Sequence, residues 1–187
     1  GSHDRVVVSG ASFTAAGRLT PVLRGITGAA SNTYVAPLGQ TFTVVEADGG
    51  ILGRFATLDQ PVEGLAPGTR MDALYGATTL TLAVTPASYA DLPAAGLDQS
   101  ANQRSVGAAL ETFRPAPGEP GQGVEVQALF DTLHPLPADR IGPALDQLSG
   151  EIHAHTLAAG LANRRLFGRA VEARQAAGRG PVGGTGP

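Results

Sequence analysis

Up to about Leu92 no stretch of this chain sustains a helical period, and after about Asp98 almost every stretch does. Strand side chains alternate with period 2 and helical ones recur every 3.6 residues, so neither pattern can serve the other structure. In the first part Arg5–Ser9, Arg18–Leu23, Thr33–Ala36, Thr41–Ala47, Ile51–Phe55, Met71–Tyr75 and Thr79–Thr85 read as short strands. The last is the clearest: Leu80, Leu82 and Val84 point one way, and Thr79, Thr81, Ala83 and Thr85 the other. Asp48-Gly49-Gly50, between two runs, reads as a tight corner. With 26 Gly and 14 Pro in 187 residues, the chain has turn formers for many such corners.

The second part has helical punctuation. Ser100 and Gln103 fit a capping box, after which Val106, Leu110 and Phe113 form an apolar stripe that Pro115 stops. Val126, Leu129, Phe130 and Leu133 repeat the helical spacing up to Pro135. Ile141, Leu145 and Leu148 form a third stripe that ends near Gly150, with Pro143 either in its first turn or bending it. A long Ala-rich helix is expected from Glu151 to Ala176, and the Gly/Pro-rich end to Pro187 reads as disordered. The expected organisation is a β unit over 4–97, a helical segment over 98–176 and a linker over 177–187. Strands followed by helices argue against alternating βαβ units. Strand runs at roughly ten-residue spacing suit either a β-sandwich plus helices or a stacked β-solenoid. The many Gly corners and irregular spacing favour the solenoid, so the expected fold is mainly β, a right-handed parallel β-helix followed by a C-terminal α-helical segment.

Several chemistries lack their residues. There is no Cys, hence no disulfide, thiolate nucleophile or cysteine metal site. All 13 basic residues are Arg, and a phosphate-binding P-loop requires Lys. A net charge of −3, with no basic patch interleaved with aromatics, gives no footprint for nucleic acid. No run of 18 apolar residues exists that could span a bilayer as a helix. Gly178-Arg179-Gly180-Pro181-Val182-Gly183 matches a dinucleotide fingerprint in letters only, because it follows a helix and carries Pro where a helix should begin. His153 and His155, two apart in a helical context, point to different faces and do not share a metal easily. His134 reads as a helix C-terminal residue whose charge suits the dipole. Glu46 and Asp48 flank the Gly-Gly corner, where turn-forming hydrogen bonds explain Asp48 better than calcium or acid/base chemistry does. No catalytic, cofactor-binding or metal-ligating residue is assigned, and Gly1-Ser2-His3, which looks like a cloning remnant, is set aside.

A series of short motifs, in order, resembles one family. Gly17-Arg18-Leu19-Thr20-Pro21 resembles the G-x-L-x-P turn of bacterial autotransporter passengers. Thr41-Phe42-Thr43-Val44-Val45-Glu46-Ala47 with Gly49-Gly50-Ile51-Leu52-Gly53-Arg54-Phe55 is similar to a segment near the passenger's C-terminal end. Thr79–Thr85 with Tyr89, and Asn102-Gln103 with Val106, Ala109 and Leu110, resemble the strand and helix that follow it. Ala144 to Ala154 (ALDQLSGEIHA) is similar to the signature just ahead of the outer-membrane barrel.

The resemblance implies the junction region of a type V secretion passenger, a non-enzymatic autochaperone acting in translocation, folding and surface display at the bacterial outer membrane. Its implied partners are the upstream passenger, the protein's own C-terminal β-barrel and the outer-membrane assembly machinery. The 26 residues from Glu151 to Ala176 would span about 39 Å as a helix and approach or enter that barrel. From residue 164 on, Arg164, Arg165, Arg169, Arg174 and Arg179 face only Glu172, an excess of four positive charges suited to a water-filled lumen. Phe42, Val44, Ile51, Phe55, Leu80, Leu82 and Val84 are then expected to pack in the interior. Two other readings stand beside it. A secreted β-solenoid carbohydrate-binding module or enzyme fragment would have only 6 Phe and 3 Tyr for sugar stacking. An adhesin module would share the fold and differ in having a host ligand.

Overall fold

In a computed structural model, which describes residues 3–23 and 34–150, short strands give way to helices at about the position where the sequence period changes. The strands are β1 (Val6–Val8), β2 (Phe13–Ala15), β3 (Arg18–Leu19), β4 (Thr41–Ala47), β5 (Ile51–Gly53), β6 (Thr57–Leu58), β7 (Thr69–Tyr75) and β8 (Thr79–Pro86). A 3₁₀ turn at Leu92–Ala95 leads to α1 (Ala101–Glu111) and α2 (Val124–Leu133), and residues 138–150 are helical. The chain divides into two compact units, residues 1–146 and 147–187, and the description below concerns the first.

The first three strands lie beside the next three in the same order and direction. Val6 sits opposite Val45, Phe13 opposite Ile51, and Arg18 opposite Thr57. The stacking does not continue. β7 and β8 form an antiparallel hairpin closed at Gly76, whose N–H donates to the Thr79 carbonyl at 2.8 Å, and β8 then pairs antiparallel with β4. The result is one four-stranded mixed sheet in the order β1-β4-β8-β7 and two two-stranded sheets.

The expected parallel β-helix is therefore corrected: the described residues form small mixed sheets packed with helices, a mixed α/β arrangement. The reason lies in the connection. A parallel neighbour requires a long crossover, whereas three residues between Tyr75 and Thr79 permit only an antiparallel return. The three parallel pairings equally set the fold apart from an antiparallel sandwich. Other expectations shift by residues. Thr33–Ala36 contributes only an isolated bridge from Ala36 to Leu65, with Thr33 outside the described residues. β2 and β6 escaped the sequence reading because two- and three-residue strands carry too few alternations to register.

Leu23, Ala36, Leu58, Met71, Leu82 and Val84 form a core cluster, with Phe42 and Val44 packed against it half-buried. Val44 falls where the β4–β8 register slips, an extra residue that bulges the strand. The corner at Asp48-Gly49-Gly50 forms as read. A side chain at Gly49 would collide with the Ala11 backbone, so only glycine lets the corner close on the preceding layer. β8 is buried on both faces from Leu82 to Pro86. The face opposite the core carries Ala83 and Thr85, and the helical part of the same unit covers it.

The two edges of the four-stranded sheet differ. At β7 the Gln60 side-chain amide pairs with the main chain as another strand would, accepting from Met71 N at 2.7 Å and donating to Met71 O at 3.0 Å. At the opposite edge β1 has no described strand beyond it, and Val6 and Val7 are exposed.

Candidate functional site: a buried ionic junction

Arg70 and Asp72, two residues apart on β7, share the face turned away from the apolar core. Arg70 pairs across the ladder with Thr85 of β8, so three polar side chains meet on one patch. Asp72 is 3% exposed at its side chain. Its Oδ1 accepts from Arg70 Nη2 at 2.8 Å, and its Oδ2 accepts from Arg70 Nε at 3.0 Å and from Thr85 Oγ1 at 2.6 Å.

The helical part supplies the second cation. α1 ends at Glu111, and three residues on Arg114 turns inward with a side chain only 1% exposed. Its Nη2 donates to Asp72 Oδ2 at 2.9 Å and to Thr85 Oγ1 at 2.8 Å. Its Nη1 donates to the Pro86 carbonyl at 2.9 Å and to Glu111 Oε1 at 3.2 Å. The guanidinium lies 4.6 Å from the centre of the Tyr89 ring, a stacking contact that strengthens with desolvation. Glu111 Oε1 also accepts from Tyr89 N at 2.8 Å, and Arg70 Nη2 donates to the Pro115 carbonyl at 3.0 Å. The network thus ties both strands of the hairpin to the end of α1. α1 itself sits directly on the strand exit, because Gly107 has no Cβ to strike the Tyr89 carbonyl.

His134 closes the patch from the end of α2. It is 5% exposed, its Nε2 lies 3.7 Å from Asp72 Oδ2, and its ring packs 5.4 Å from Phe130. Burial on its own pushes the Asp72 carboxyl up. The positive charges of Arg114 and Arg70, joined by His134 when that ring is protonated, outweigh it and hold the carboxyl below its ordinary value. Burial pushes the His134 imidazole down to about 4, with Asp72 opposing and the two guanidiniums assisting. Desolvation pushes the Tyr89 phenol up. The expectation that His134 is a helix C-terminal residue holds for its position, since it is the C-cap of α2. The expected charge is corrected, because a buried ring beside two guanidiniums stays neutral.

Sequence reasoning missed this cluster. One local signal was readable: opposite charges two apart on a strand, on the face away from its apolar residues. Arg114 gave none, because its partner Asp72 lies 42 positions away in the sequence.

The residues weighed from sequence do not converge. Glu46 pairs with Arg5 across β4 and β1 at 2.8 Å. Asp48 Oδ2 accepts from Gly10 N at 3.4 Å, a turn contact. The Ser100–Gln103 capping box forms, and Gln103 Nε2 reaches Asp146 Oδ2 at 2.9 Å. His153, His155, the Arg164–Arg179 series and Gly178–Gly183 lie outside the described residues. Among the described residues, no group of three or more His, Cys, Asp or Glu could hold a metal ion. Among the same residues no helix is long and apolar enough to cross a membrane. Two depressions, one at Asp98, Gln103 and Asp139 and one at Arg54, Gln127 and Asp131, are open to solvent.

No protein-family model, curated protein or solved structure matches this chain. Chemically, the junction pairs two carboxylates with two guanidiniums, Asp72 and Arg114 away from water and Arg70 and Glu111 at its partly exposed rim. A buried pair of this kind fixes a geometry more than it contributes net stability.

Proposed function

We propose that this chain is a non-enzymatic structural part of an autotransporter passenger, supporting translocation, folding and display at the bacterial surface. The observation that carries the reading is the contrast between the two sheet edges. Unpaired strand edges are templates for further strands, and proteins normally cover them. Here Gln60 pairs with the β7 edge at Met71, and the ionic junction fastens the adjoining helices. Among the described residues no strand lies beyond the outer edge of β1, nor beside the two-stranded pairs that contain β2 and β3. An end capped at Met71 and fastened by the junction on one side, with its β1 edge unpaired by any described strand, suits a nucleus that folds first and receives preceding strands of the same polypeptide. The ordered series of passenger-like motifs supports the same reading, with the protein's own outer-membrane barrel as the second partner.

The test uses the parent protein with its barrel. Val8 O accepts from Asp48 N at 3.0 Å, so Val8 faces β4, and by alternation Val7 turns its N–H and C=O outward. Val7→Pro removes that outward donor at a position where an edge strand tolerates proline. Surface display is expected to fall with Val7→Pro while the isolated chain stays folded. It should also fall with Leu82→Asp, which puts a charge into the core. Display unchanged by both substitutions would overturn the proposal.

A further inference from the structure

Leaving aside Asp131, which faces the ring from an exposed position on α2, the junction is neutral only while His134 is. Asp72 and Glu111 carry two negative charges, and Arg70 and Arg114 two positive ones. A proton on the imidazole adds a third cation to the patch. Nor can it be accommodated by a new hydrogen bond. Asp72 Oδ2, the carboxylate oxygen that the imidazole faces, already takes donors from Arg70 Nε, Thr85 Oγ1 and Arg114 Nη2, and His134 Nε2 stands off at 3.7 Å. That Nε2 is buried and has no hydrogen-bond partner.

We propose that this cluster is a proton-operated latch, in which a proton taken up from solvent by His134 Nε2 releases α2 from the β7–β8 hairpin. The groups that face the ring are Asp72 and Arg70 from β7, Arg114 from the segment after α1 and Asp131 from α2 itself. Tyr89 and Glu111 lie in the same patch through Arg114. Phe130 walls the ring on its own helix. Asp72 and Asp131 favour the proton, while burial and the two guanidiniums oppose it. The imidazolium gains water only by moving away from the strands, and α2 moves with it because His134 is its C-cap. The ring titrates well below its ordinary 6.5 while docked and near it when released, so acid favours the released state.

Hydrogen exchange of the full chain, corrected for intrinsic rates, tests the latch. From the shift in His134, the opening equilibrium of α2 amides is expected to rise roughly twenty-fold between pH 7 and pH 5, and at both pH values those amides exchange faster than the β1–β4 and β2–β5 amides, which open only with the whole molecule. His134→Gln, which cannot take up a proton, should flatten that rise. Overturning results are α2 protection equal at the two pH values, α2 amides that exchange no faster than the strand amides, or the same rise in the variant. Should the variant not fold, NMR titration of the His134 ring in the unaltered chain decides. A ring that titrates late, together with the loss of α2 protection, upholds the latch. A ring that titrates near its ordinary value while α2 stays protected overturns it.

Discussion

At the end of α1 the aromatic ring of Phe113 stands 56% exposed, while the guanidinium of its neighbour Arg114 is 1% exposed. Hydrophobicity alone would reverse the two, and the sequence reading did place Phe113 on the buried stripe. The inversion arises because α1 stops at Glu111, two residues before the stripe would continue, which turns position 114 toward Asp72. Arg114→Ala leaves a buried carboxylate short of a counter-charge, an effect that costs about 3–5 kcal/mol for such pairs. Urea denaturation at pH 7 should show a loss of that order. Tyr89→Phe is expected to behave oppositely. The Tyr89 hydroxyl is buried without a hydrogen-bond partner, and its ring keeps its stacking on Arg114 when the oxygen is removed. Since an unsatisfied buried polar group costs about 1–3 kcal/mol, the same measurement should find the variant as stable as the parent or more so.

At the scale of elements, α1 and the hairpin owe their contact to a residue that helices disfavour. Alanine is a better helix former than glycine by about 1 kcal/mol, so propensity alone predicts that Gly107→Ala stabilises. The Tyr89 carbonyl occupies the place of the new methyl group. Overpacking of that kind costs about 1–3 kcal/mol, and α1 must shift as a body because the obstacle is backbone. Gly107→Ala is therefore expected to lower the melting temperature and to accelerate exchange of the Tyr89 amide, which Glu111 holds. The Gln60 amide on β7 offers a parallel case. Nothing in a Gln between Asp59 and Pro61 marks it as an edge cover, and only its two bonds to Met71 give it that role.

For the molecule as a whole, stability should depend on pH through the junction. His134 is depressed in the folded state, so between its ordinary 6.5 and about 4 the unfolded chain binds more protons and stability falls as pH falls. The loss across that window is on the order of 3 kcal/mol. Asp72 is also depressed, so its contribution is present above its ordinary 3.8 and disappears as the pH drops below that value. Tyr89, raised by burial, acts at the other end: above its ordinary 10.0 the unfolded chain releases a proton that the folded chain keeps, and stability falls as pH rises. Melting temperatures measured from pH 4 to 11 should form a plateau near neutrality with a decline on each side. A melting temperature unchanged from pH 7 down to 4.5 would contradict the placement of His134.

Wherever local chemistry acts alone, residue order was enough to locate structure. The change of period near residue 98, the capping box at Ser100 and the turn of the Asp48 corner, where Gly50 N donates to Ala47 O, each involve partners within a few positions, and all three formed as read. So did the strands β4 and β8, whose long runs repeat the period often enough to be seen, although the bulge at Val44 interrupts the alternation of β4. Which strand lies beside which was not legible, because parallel stacking and an antiparallel hairpin use the same alternating pattern. The mixed sheet is decided by the short return at Gly76. Nor was the ionic junction legible, since Arg114 and Asp72 stand 42 positions apart. The sequence by itself determined the elements, whose energetics are local. Only the tertiary structure decided their pairing and where charge is buried, because desolvation and long-range pairing exist only once distant segments have met.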